Sequence, residues 1–243
     1  MTSRRDRRRS GVVRVATFNI RHGAAVDDDV RPLSLARACA ALDADVLGLQ
    51  ELERGRRRSW YVDQGRFVAA YVRAHYVAGP AIRRGRWRAY GNGLVARGRI
   101  RGVEILDLPR GPEREPRSAV LAAVTIGGAT ISIGVTHLQH RPARLRHLPS
   151  DASDQLRAVL DALTARPAPR VLLGDLNLQP PVAQEILEAA GFTVPEHGPT
   201  YPADAPRIRL DYVAVDGLRV REVHVAPKAA VSDHRAVVAD LVP

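Results

Sequence analysis

The feature that most limits the possible folds of this chain is a series of short runs rich in valine, isoleucine and leucine. Each run is bounded by turn-forming residues, which predicts a β-strand. The predicted strands cover residues 12–20, 46–51, 93–97, 119–126, 130–136, 170–176, 209–215 and 236–242. Helical spacing of apolar residues predicts helices that begin at Pro32 and that cover 153–165 and 181–190. The chain therefore combines both kinds of structure, with more strand than helix.

Several predicted strands have an apolar face that ends in a polar residue. Side chains two residues apart share one face of a strand. The residues that continue such faces are Glu51 after Leu47 and Leu49, His137 after Ile133 and Val135, and Asp175 and Asn177 after Val171 and Leu173. Asp211 precedes Val213 and Val215 on their face, whereas the other polar residues follow the apolar ones. Two sheets packed face to face, with polar groups collected at one rim, would have this pattern. The other strand faces are also rather apolar, so we expect helices to cover both outer sides.

The length and composition favour one folded unit. The chain has 243 residues and 45% hydrophobic content, and a chain of this size buries about 70% of its unfolded surface. No long linker rich in proline, glycine or serine divides it, so we predict a single domain over residues 11–243. Residues 1–10 contain five arginines and one aspartate. We expect them to form a disordered basic tail.

The net charge of +11 is weaker evidence about partners than its size suggests. A basic protein usually has an anionic partner, such as nucleic acid, a membrane surface or a phosphorylated substrate. Here only one of the 37 basic residues is a lysine, Lys228, which fits GC-rich codon usage as well as selection for an anion. Aromatic residues make up only 5% of the chain. That low fraction limits the surfaces on which bases can stack.

The single cysteine and the start of the chain bear on the compartment. Cys39 lies in a helical pattern, where we interpret it as a small buried apolar residue. A disulfide within the chain is excluded, which fits a reducing compartment. The arginine-rich start is not followed by the apolar segment of a signal peptide, and no run is long enough for a transmembrane helix. We expect a cytoplasmic protein and favour a monomer.

Short strings of polar residues stand at or near the ends of the predicted strands. In chain order they are Thr17-Phe18-Asn19-Ile20, Leu49-Gln50-Glu51, Tyr90-Gly91-Asn92-Gly93, Arg114-Glu115-Pro116-Arg117, Thr136-His137-Leu138, Gly174-Asp175-Leu176-Asn177, Arg209-Leu210-Asp211-Tyr212 and Ser232-Asp233-His234. One such string is common by chance. With all of them in this order, the sequence resembles the endonuclease/exonuclease/phosphatase superfamily over about residues 12–242. The resemblance implies a four-layer α/β/β/α sandwich with two packed, mainly antiparallel mixed sheets, which agrees with the layering expected from strand parity.

The strings contain the groups that hydrolysis of a phosphoester requires. A cation neutralises charge on the phosphoryl oxygens, a base activates water, and donors stabilise the developing charge. The resemblance implies that Glu51, Asp233 and Asn19 bind the metal. Oxygen ligands suit Mg²⁺, with Mn²⁺ or Ca²⁺ as alternatives. No cluster of cysteine and histidine indicates zinc.

The resemblance also implies roles for the remaining polar residues. His234 would be the catalytic histidine, oriented by Asp211, and Asp175 would align or deprotonate the attacking water. His137 would face the transition state or the leaving group. The residues expected to contact the substrate phosphate are Asn177, Arg117 and Asn92, and Asn177 also counts among the catalytic residues.

Other residues stay open between two interpretations. Asp63 and Gln64 have equal claims to a structural and a functional role, and the arginines at 54 and 56–58 could contact phosphates or form a solvated loop. The histidines that match no string are His22, His75, His140, His147, His197 and His224. No tyrosine close to Arg117 in sequence matches the one expected of abasic-site endonucleases.

The sequence predicts a divalent-metal-dependent phosphoester hydrolase. A phosphodiesterase or nuclease is favoured, with metal-assisted in-line attack of water on phosphorus and nucleic acid as one candidate partner. A phosphatase, or a phosphoesterase acting on phospholipids or inositol phosphates, is the alternative on the same fold. The alternative of another class is a catalytically silent binding protein, since fold alone does not determine function.

Overall fold

The computed structural model describes residues 4–24, 28–140 and 151–242. The strands are β1 (Val13–Asn19), β2 (Val46–Arg54), β3 (His75–Arg84), β4 (Arg88–Ala96), β5 (Arg99–Asp107), β6 (Ser118–Ile126), β7 (Ala129–His137), β8 (Arg170–Asp175), β9 (Asp211–Asp216), β10 (Arg219–Val225) and β11 (Val237–Val242). The helices are α1 (Arg4–Arg9), α2 (Pro32–Ala41), α3 (Gln64–Val72), α4 (Asp151–Thr164) and α5 (Val182–Ala189), with short 3₁₀ turns at Arg21–Gly23 and Arg57–Ser59.

These strands form two sheets. One sheet has six strands in the order β10-β11-β1-β2-β4-β3, and the other has five in the order β5-β6-β7-β8-β9. Strand β1 runs parallel to β2, and β7 runs parallel to β8. The other paired strands are antiparallel. The predicted pair of mainly antiparallel mixed sheets is therefore confirmed.

An apolar core fills the space between the two sheets. It contains Val15 and Val46 from the first sheet and Val135, Val171 and Val213 from the second. Gly48 allows a close approach of the sheets, since a Cβ atom there would lie 2.9 Å from the Cβ of Leu173. The sheets pack through the faces that the alternation in β7, β8 and β9 predicted.

Helices cover the outer face of each sheet. Helices α2 and α3 cover the six-stranded sheet with buried residues that include Leu35 and Val68. Helices α4 and α5 cover the other sheet with buried residues that include Leu156 and Leu187. The four-layer prediction is confirmed, and Cys39 is buried on the inner side of α2 as expected. Among the described residues, no helix is both long and apolar enough to cross a membrane.

The position of Glu51 depends on a β-bulge rather than on simple alternation. Leu47 and Leu49 pack under the helices, not between the sheets. The pairing of β2 with β4 shifts register between Leu49 and Leu52, and the backbone φ of Glu51 is 62°. Such a bulge redirects a side chain, and Glu51 thereby reaches Asn19 at the end of β1. The prediction that Glu51 continues an inter-sheet face of Leu47 and Leu49 is therefore wrong.

The start of the chain also differs from its prediction. Residues Arg4–Arg9 form helix α1 instead of a disordered tail, while residues 1–3 lie outside the described residues. Arg7 is 1% exposed, and its Nη2 donates to the backbone oxygen and to Oδ2 of Asp43, both at 2.8 Å. Arg4 binds the same carboxylate. A carboxylate that two arginines share provides the charge-assisted bonds that hold this segment on the domain.

A buried ion pair joins β1 to β11. Arg14 Nε lies 2.6 Å from Asp240 Oδ1 and its Nη2 lies 2.8 Å from Oδ2, and the two residues are cross-strand partners. Both are more than nine-tenths buried. The bond to Asp240 raises the pKa of Arg14, so the guanidinium stays charged. Removing one partner would leave the other as an uncompensated buried charge.

We therefore expect Asp240→Ala to lower the free energy of unfolding by about 3–5 kcal/mol, measured by urea denaturation. The double variant Arg14→Met/Asp240→Leu removes both charges and should recover most of that loss, because no unpaired charge remains. A change in Asp240→Ala of only about 0.5 kcal/mol, typical of surface substitutions, would contradict this role for the pair.

Candidate active site

Three acidic or basic side chains form a row across neighbouring strands at one rim of the five-stranded sheet. His137 ends β7, Asp175 ends β8 and Asp211 begins β9. His137 is the cross-strand partner of Asp175, and Asp175 is the partner of Asp211. All three are buried. Strand parity and register thus place on one inter-sheet face the groups that the sequence assigned to catalysis.

His234 completes this row from the loop before β11. Its Nδ1 lies 2.9 Å from Asp211 Oδ2, and its Nε2 lies 3.8 Å from Asp175 Oδ2. Burial by itself would lower the pKa of His234, but Asp211 and Asp175 outweigh it and raise that pKa to about 10. The imidazolium therefore persists at neutral pH, with Nδ1–H donating to Asp211. Ser232 holds the loop, since its Oγ accepts from His234 N and donates to Asn19 O.

His137 has the opposite electrostatic setting. Burial and the neighbouring Arg117 lower its pKa well below the ordinary value, so the ring is neutral. Arg117 Nη1 lies 3.1 Å from His137 Nδ1, and a guanidinium can only donate, so Nδ1 is the acceptor. The ring proton must then reside on Nε2, which lies 3.5 Å from Asp175 Oδ2. The site therefore has one neutral and one charged histidine on the two sides of one carboxylate.

Asn19 connects the two sheets at this rim. Its Nδ2 donates to Glu51 Oε1 at 3.1 Å and to Asp175 Oδ2 at 2.9 Å. Burial alone would raise the pKa of Glu51, but the His22 side chain at 3.9 Å, the hydrogen bond from Asn19 and the positive charge of His234 together hold that pKa well below its usual range. Glu51 is thus a carboxylate anion at neutral pH.

Asp175 is the central group of the site. Burial, reinforced by Asp211, raises the pKa of Asp175 to about 7 against the opposing effect of His234. Its Oδ1 accepts from the backbone N of Asn177 at 3.0 Å. Asn177 has a left-handed backbone conformation and its Nδ2 donates to Leu138 O. A carboxyl group that titrates near neutrality can accept a proton under ordinary conditions.

Two sets of residues could hold a metal ion. Asp175, Asp211 and His234 offer ligand atoms that all lie within 4.8 Å of one another. In that set, however, His234 carries protons on both ring nitrogens, and a ligand nitrogen must be deprotonated. Glu51 is ionised and partly exposed, and Asp233, with its side chain 40% exposed, lies 3.7 Å from Arg21. Oxygen donors of this kind suit a hard divalent cation.

Arg117 and Asn92 form the side of the site nearest to β4 and β6. Arg117 pairs with Glu115 at 3.3 Å and interacts with the hydroxyl of Tyr90, so a tyrosine does adjoin Arg117 in space. Asn92 Nδ2 donates to Ser118 O at 2.7 Å. Asn92 makes no direct hydrogen bond to the catalytic row among the described residues, and it positions the strand that follows Arg117.

Two residues that match no sequence string also contact the candidate site. His22 has a left-handed backbone in the 3₁₀ turn after β1, which brings it toward Glu51. His140 Nδ1 lies 3.3 Å from Asn177 Oδ1. Neither lies at the end of an alternating apolar face, so strand parity could not find them.

Gln64 and Asp63 have structural roles. Gln64 is fully buried, accepts from Glu53 N and donates to His22 O, so it supports the turn that carries His22. Asp63 caps helix α3 by accepting from Arg66 N.

The arginines after Glu51 have different partners. Arg56 and Arg58 pair with the buried carboxylate of Glu53, and Arg54 Nε donates to the backbone oxygen of Trp87. Arg57 is exposed in the 3₁₀ turn at 57–59. The guanidinium groups of Arg56 and Arg58 therefore serve first to neutralise Glu53.

Three other histidines lie outside the candidate site. His75 is in β3 and His224 is in β10, while His197 packs edge-on against the ring of Tyr212. His147 lies outside the described residues.

Comparisons with known proteins bear on the family and the fold. A sequence profile described as the endonuclease/exonuclease/phosphatase family matches residues 16–234, a range that contains each residue of the candidate site. No curated protein sequence matches the chain.

Solved structures share the fold at low sequence identity. An endonuclease/exonuclease/phosphatase from Beutenbergia cavernae is 24% identical, with a TM-score of 0.76, and the match covers 96% of this chain and 72% of that chain. The human nocturnin catalytic domain with a bound sulfate anion is 19% identical, with a TM-score of 0.72 and coverages of 96% and 93%. A mannosyl-6-phosphatase from Bacteroides thetaiotaomicron is 15% identical, with a TM-score of 0.73 and coverages of 95% and 100%.

We expect the His234 ring of the metal-free protein to remain doubly protonated at pH 8 and to lose a proton near pH 10. Because this folded pKa exceeds the ordinary value of 6.5, the pair stabilises the fold fully below pH 6.5 and loses that contribution as the pH rises through about 10. The measurement is a nitrogen-15 NMR titration of the ring with EDTA present. In Asp211→Asn the pKa should fall, and a wild-type titration near 6.5 would contradict the assignment.

Proposed function

Because the chain belongs to the endonuclease/exonuclease/phosphatase family, we propose that it is a divalent-metal-dependent phosphoester hydrolase, and most favourably a phosphodiesterase. The observation that carries the proposal is the setting of Asp175. Its Oδ2 lies 2.9 Å from Asn19 Nδ2, 3.5 Å from His137 Nε2 and 3.8 Å from His234 Nε2. A carboxylate surrounded by three donors from three chain segments can activate water beside a phosphoryl group.

In this proposal Glu51, Asp233 and Asn19 hold the cation. The donor set fits a hard metal such as Mg²⁺, because two carboxylates are present and Glu51 stays ionised. Asn19 would contribute its amide oxygen, which accepts a hydrogen bond from Arg21 N in the metal-free protein. Mn²⁺ or Ca²⁺ would accept the same ligands. When bound, the metal would neutralise charge on the phosphoryl oxygens. The two hydrogen bonds from Asn19 to Glu51 and Asp175 would hold the proposed metal ligand and the proposed base at a fixed distance from each other.

The proton acceptor in this mechanism is Asp175. Its pKa of about 7 matches the range in which a general base works best. The Oδ1 atom is already bound to Asn177 N, so the carboxylate plane is held in one orientation. Oδ2 is the atom that faces both histidines, and we assign to it the alignment and deprotonation of the attacking water.

The two histidines would stabilise charge that develops on the phosphoryl group. The imidazolium of His234, oriented by Asp211, would offer Nε2–H to a phosphoryl oxygen. His137 is neutral and would offer Nε2–H on the other side, while Arg117 holds its tautomer. Asn177 and Arg117 are candidates for further phosphate contacts, and Arg117 supplies a planar guanidinium for this purpose.

The alternatives differ in substrate or in chemistry. A phosphomonoesterase, or an enzyme acting on phospholipids or inositol phosphates, would use the same groups. A silent binding protein on this fold would be expected to lack part of the set, whereas Glu51, Asp175, Asp211 and His234 are all retained and close together. The substrate panel below separates these cases.

We expect Glu51→Gln to raise the Mg²⁺ concentration for half-maximal activity by about tenfold or more. The activity assay uses bis(p-nitrophenyl) phosphate, and calorimetric titration of Mg²⁺ without substrate provides a second readout. Glu104→Gln is the matched control, since Glu104 is an exposed carboxylate on β5 that pairs with Arg166. If Asp211→Asn abolishes Mg²⁺ binding and Glu51→Gln does not, the ion binds at the Asp175, Asp211 and His234 group instead.

Asp175→Asn and His234→Ala should each lower kcat by about 10²-fold or more, because they remove the proton acceptor and a charge-stabilising donor. Asp154→Asn and His75→Ala change exposed residues of the same types and should leave kcat unchanged. The assay panel covers a chromogenic diester and monoester, plasmid DNA, RNA, abasic-site duplex, inositol phosphates and sphingomyelin. Absence of hydrolysis of every substrate with Mg²⁺, Mn²⁺ and Ca²⁺ would favour the silent binding protein.

A further inference from the structure

Both tryptophans of the chain are exposed and line neighbouring grooves that share Tyr61. The chain has two tryptophans, Trp60 and Trp87, which are 67% and 75% exposed. Tyr61 between them is 63% exposed. These three side chains are the most exposed of the large hydrophobic residues in the described parts of the chain. Exposed aromatic side chains that gather in one place indicate an interaction surface.

Arginines surround these aromatic rings. One groove is lined by Tyr61 and Trp87 together with one acidic residue, Asp63, and with Arg54, Arg66, Arg86 and Arg88. Tyr61 also lines the neighbouring groove with Trp60 and Arg57 and with the acidic residues Asp28 and Asp29, so the two grooves adjoin at Tyr61. We call the surface formed by Trp60, Tyr61, Trp87 and these arginines the aromatic-arginine surface. Within the described residues, the guanidinium groups of Arg66, Arg86 and Arg88 form no ion pair, which leaves their charge available to a polyanion.

The backbone holds the aromatic rings in position at a conformational cost. Trp60 and Tyr61 both have positive φ angles, 55° and 57°, a region that bulky side chains rarely adopt. Trp60 Nε1 donates to Val30 O at 3.1 Å, which fixes its ring while its face stays open. The tip of the β3–β4 hairpin lies against the end of β2, where Arg54 Nε donates to Trp87 O. The approach is close, since a Cβ atom at Gly55 would lie only 2.6 Å from that oxygen. Strained, fixed and exposed rings are a common property of binding sites.

The same strands carry the aromatic-arginine surface and the proposed metal ligand. Glu51 and Arg54 are both in β2, and three residues of strand span about 10 Å. Tyr90 and Asn92 in β4 lie between the candidate site and the hairpin tip, opposite β2. A strand of a few nucleotides would cover the distance between Glu51 and Arg54, since even the compact strands of duplex DNA advance about 3.4 Å per phosphate.

We propose that the aromatic-arginine surface binds single-stranded nucleic acid, with bases stacked on Trp60, Tyr61 and Trp87 and phosphates bound by the surrounding arginines. This inference rests on the proposed function in one respect: the bound strand would be the substrate of the proposed hydrolase. Rings interspersed with unpaired cations suit a strand with unpaired bases. A membrane-binding surface would require exposed aliphatic residues beside the aromatic ones, and the exposed large side chains of this surface are aromatic.

The test uses the intrinsic fluorescence of the two tryptophans, since both lie on the surface in question. The full-length protein in EDTA is titrated with a 12-residue oligothymidylate, so that binding is measured without turnover. We expect saturable quenching of the fluorescence. Trp87→Ala should weaken binding roughly tenfold, which corresponds to loss of one stacked base. Trp87→Phe retains an aromatic face and should restore most of the affinity.

Salt dependence tests the role of the arginines. Arg86→Ala should lower the slope of log affinity against log salt by about 0.7, as expected for one lost phosphate contact on a single strand. Arg101→Ala is the matched control, because Arg101 is an exposed arginine on β5 of the other sheet and should leave both slope and affinity unchanged. A duplex of the same length should bind more weakly and should not respond to Trp87→Ala.

The outcomes separate this inference from the proposed function. The protein could bind the oligonucleotide in a way that depends on Trp87 and yet hydrolyse no phosphoester. That result would support the proposed binding surface and contradict the proposed enzymatic function. Hydrolysis of the small diester together with equal oligonucleotide binding by wild type and Trp87→Ala overturns the surface. Tryptophan-dependent binding to vesicles of phosphatidylserine and phosphatidylcholine, with no binding to the oligonucleotide, also overturns it and assigns the surface to membranes.

Discussion

The site depends on the hydrogen bonds of one amide, that of Asn19 at the end of β1. Its Nδ2 donates to Glu51 on the same sheet and to Asp175 on the other sheet, and its backbone oxygen accepts from Ser232 in the loop that carries His234. An amide brings two carboxylates together without adding charge, so it does not neutralise either of them. The two sheets and the loop before β11 therefore meet at a point where the charged Glu51 lies close to Asp175 and His234.

The burial of this many ionisable groups is tolerated because their environments differ. Asp211 is compensated by the His234 imidazolium, while the neutral His137 faces Arg117. Asp175 lies between the two histidines and has a raised pKa of about 7. Buried charges are costly unless they are paired. These pairs leave the Asp175 carboxyl group with a pKa close to neutral pH. The same pairings that make the buried row stable thus separate the pKa values of its members.

The sequence predicts the central strands well and the edge strands poorly. The strands in the sheet interiors, such as β1 and β8, were predicted to within one residue of their observed bounds, because both of their faces are buried. Strands β3, β5 and β10 lie at sheet edges and have few buried residues, so they lack the apolar runs by which strands are recognised. The fourth edge strand, β9, is almost entirely buried and was predicted. Helix α3 was also not predicted. The bulge at Glu51 escaped prediction because alternation cannot reveal an inserted residue.

This difference explains why the chemistry is easier to predict than the substrate. The candidate catalytic groups end strands whose apolar faces give a strong periodic signal, as Asp175 does after Val171 and Leu173. The aromatic-arginine surface lies on the β3–β4 hairpin and the turn after β2, where exposed arginines and tryptophans follow no period. A low overall aromatic content suggested that stacking surfaces would be scarce, but content does not report position. Two tryptophans placed together at an exposed rim can bind a strand as well as many that are dispersed through a core.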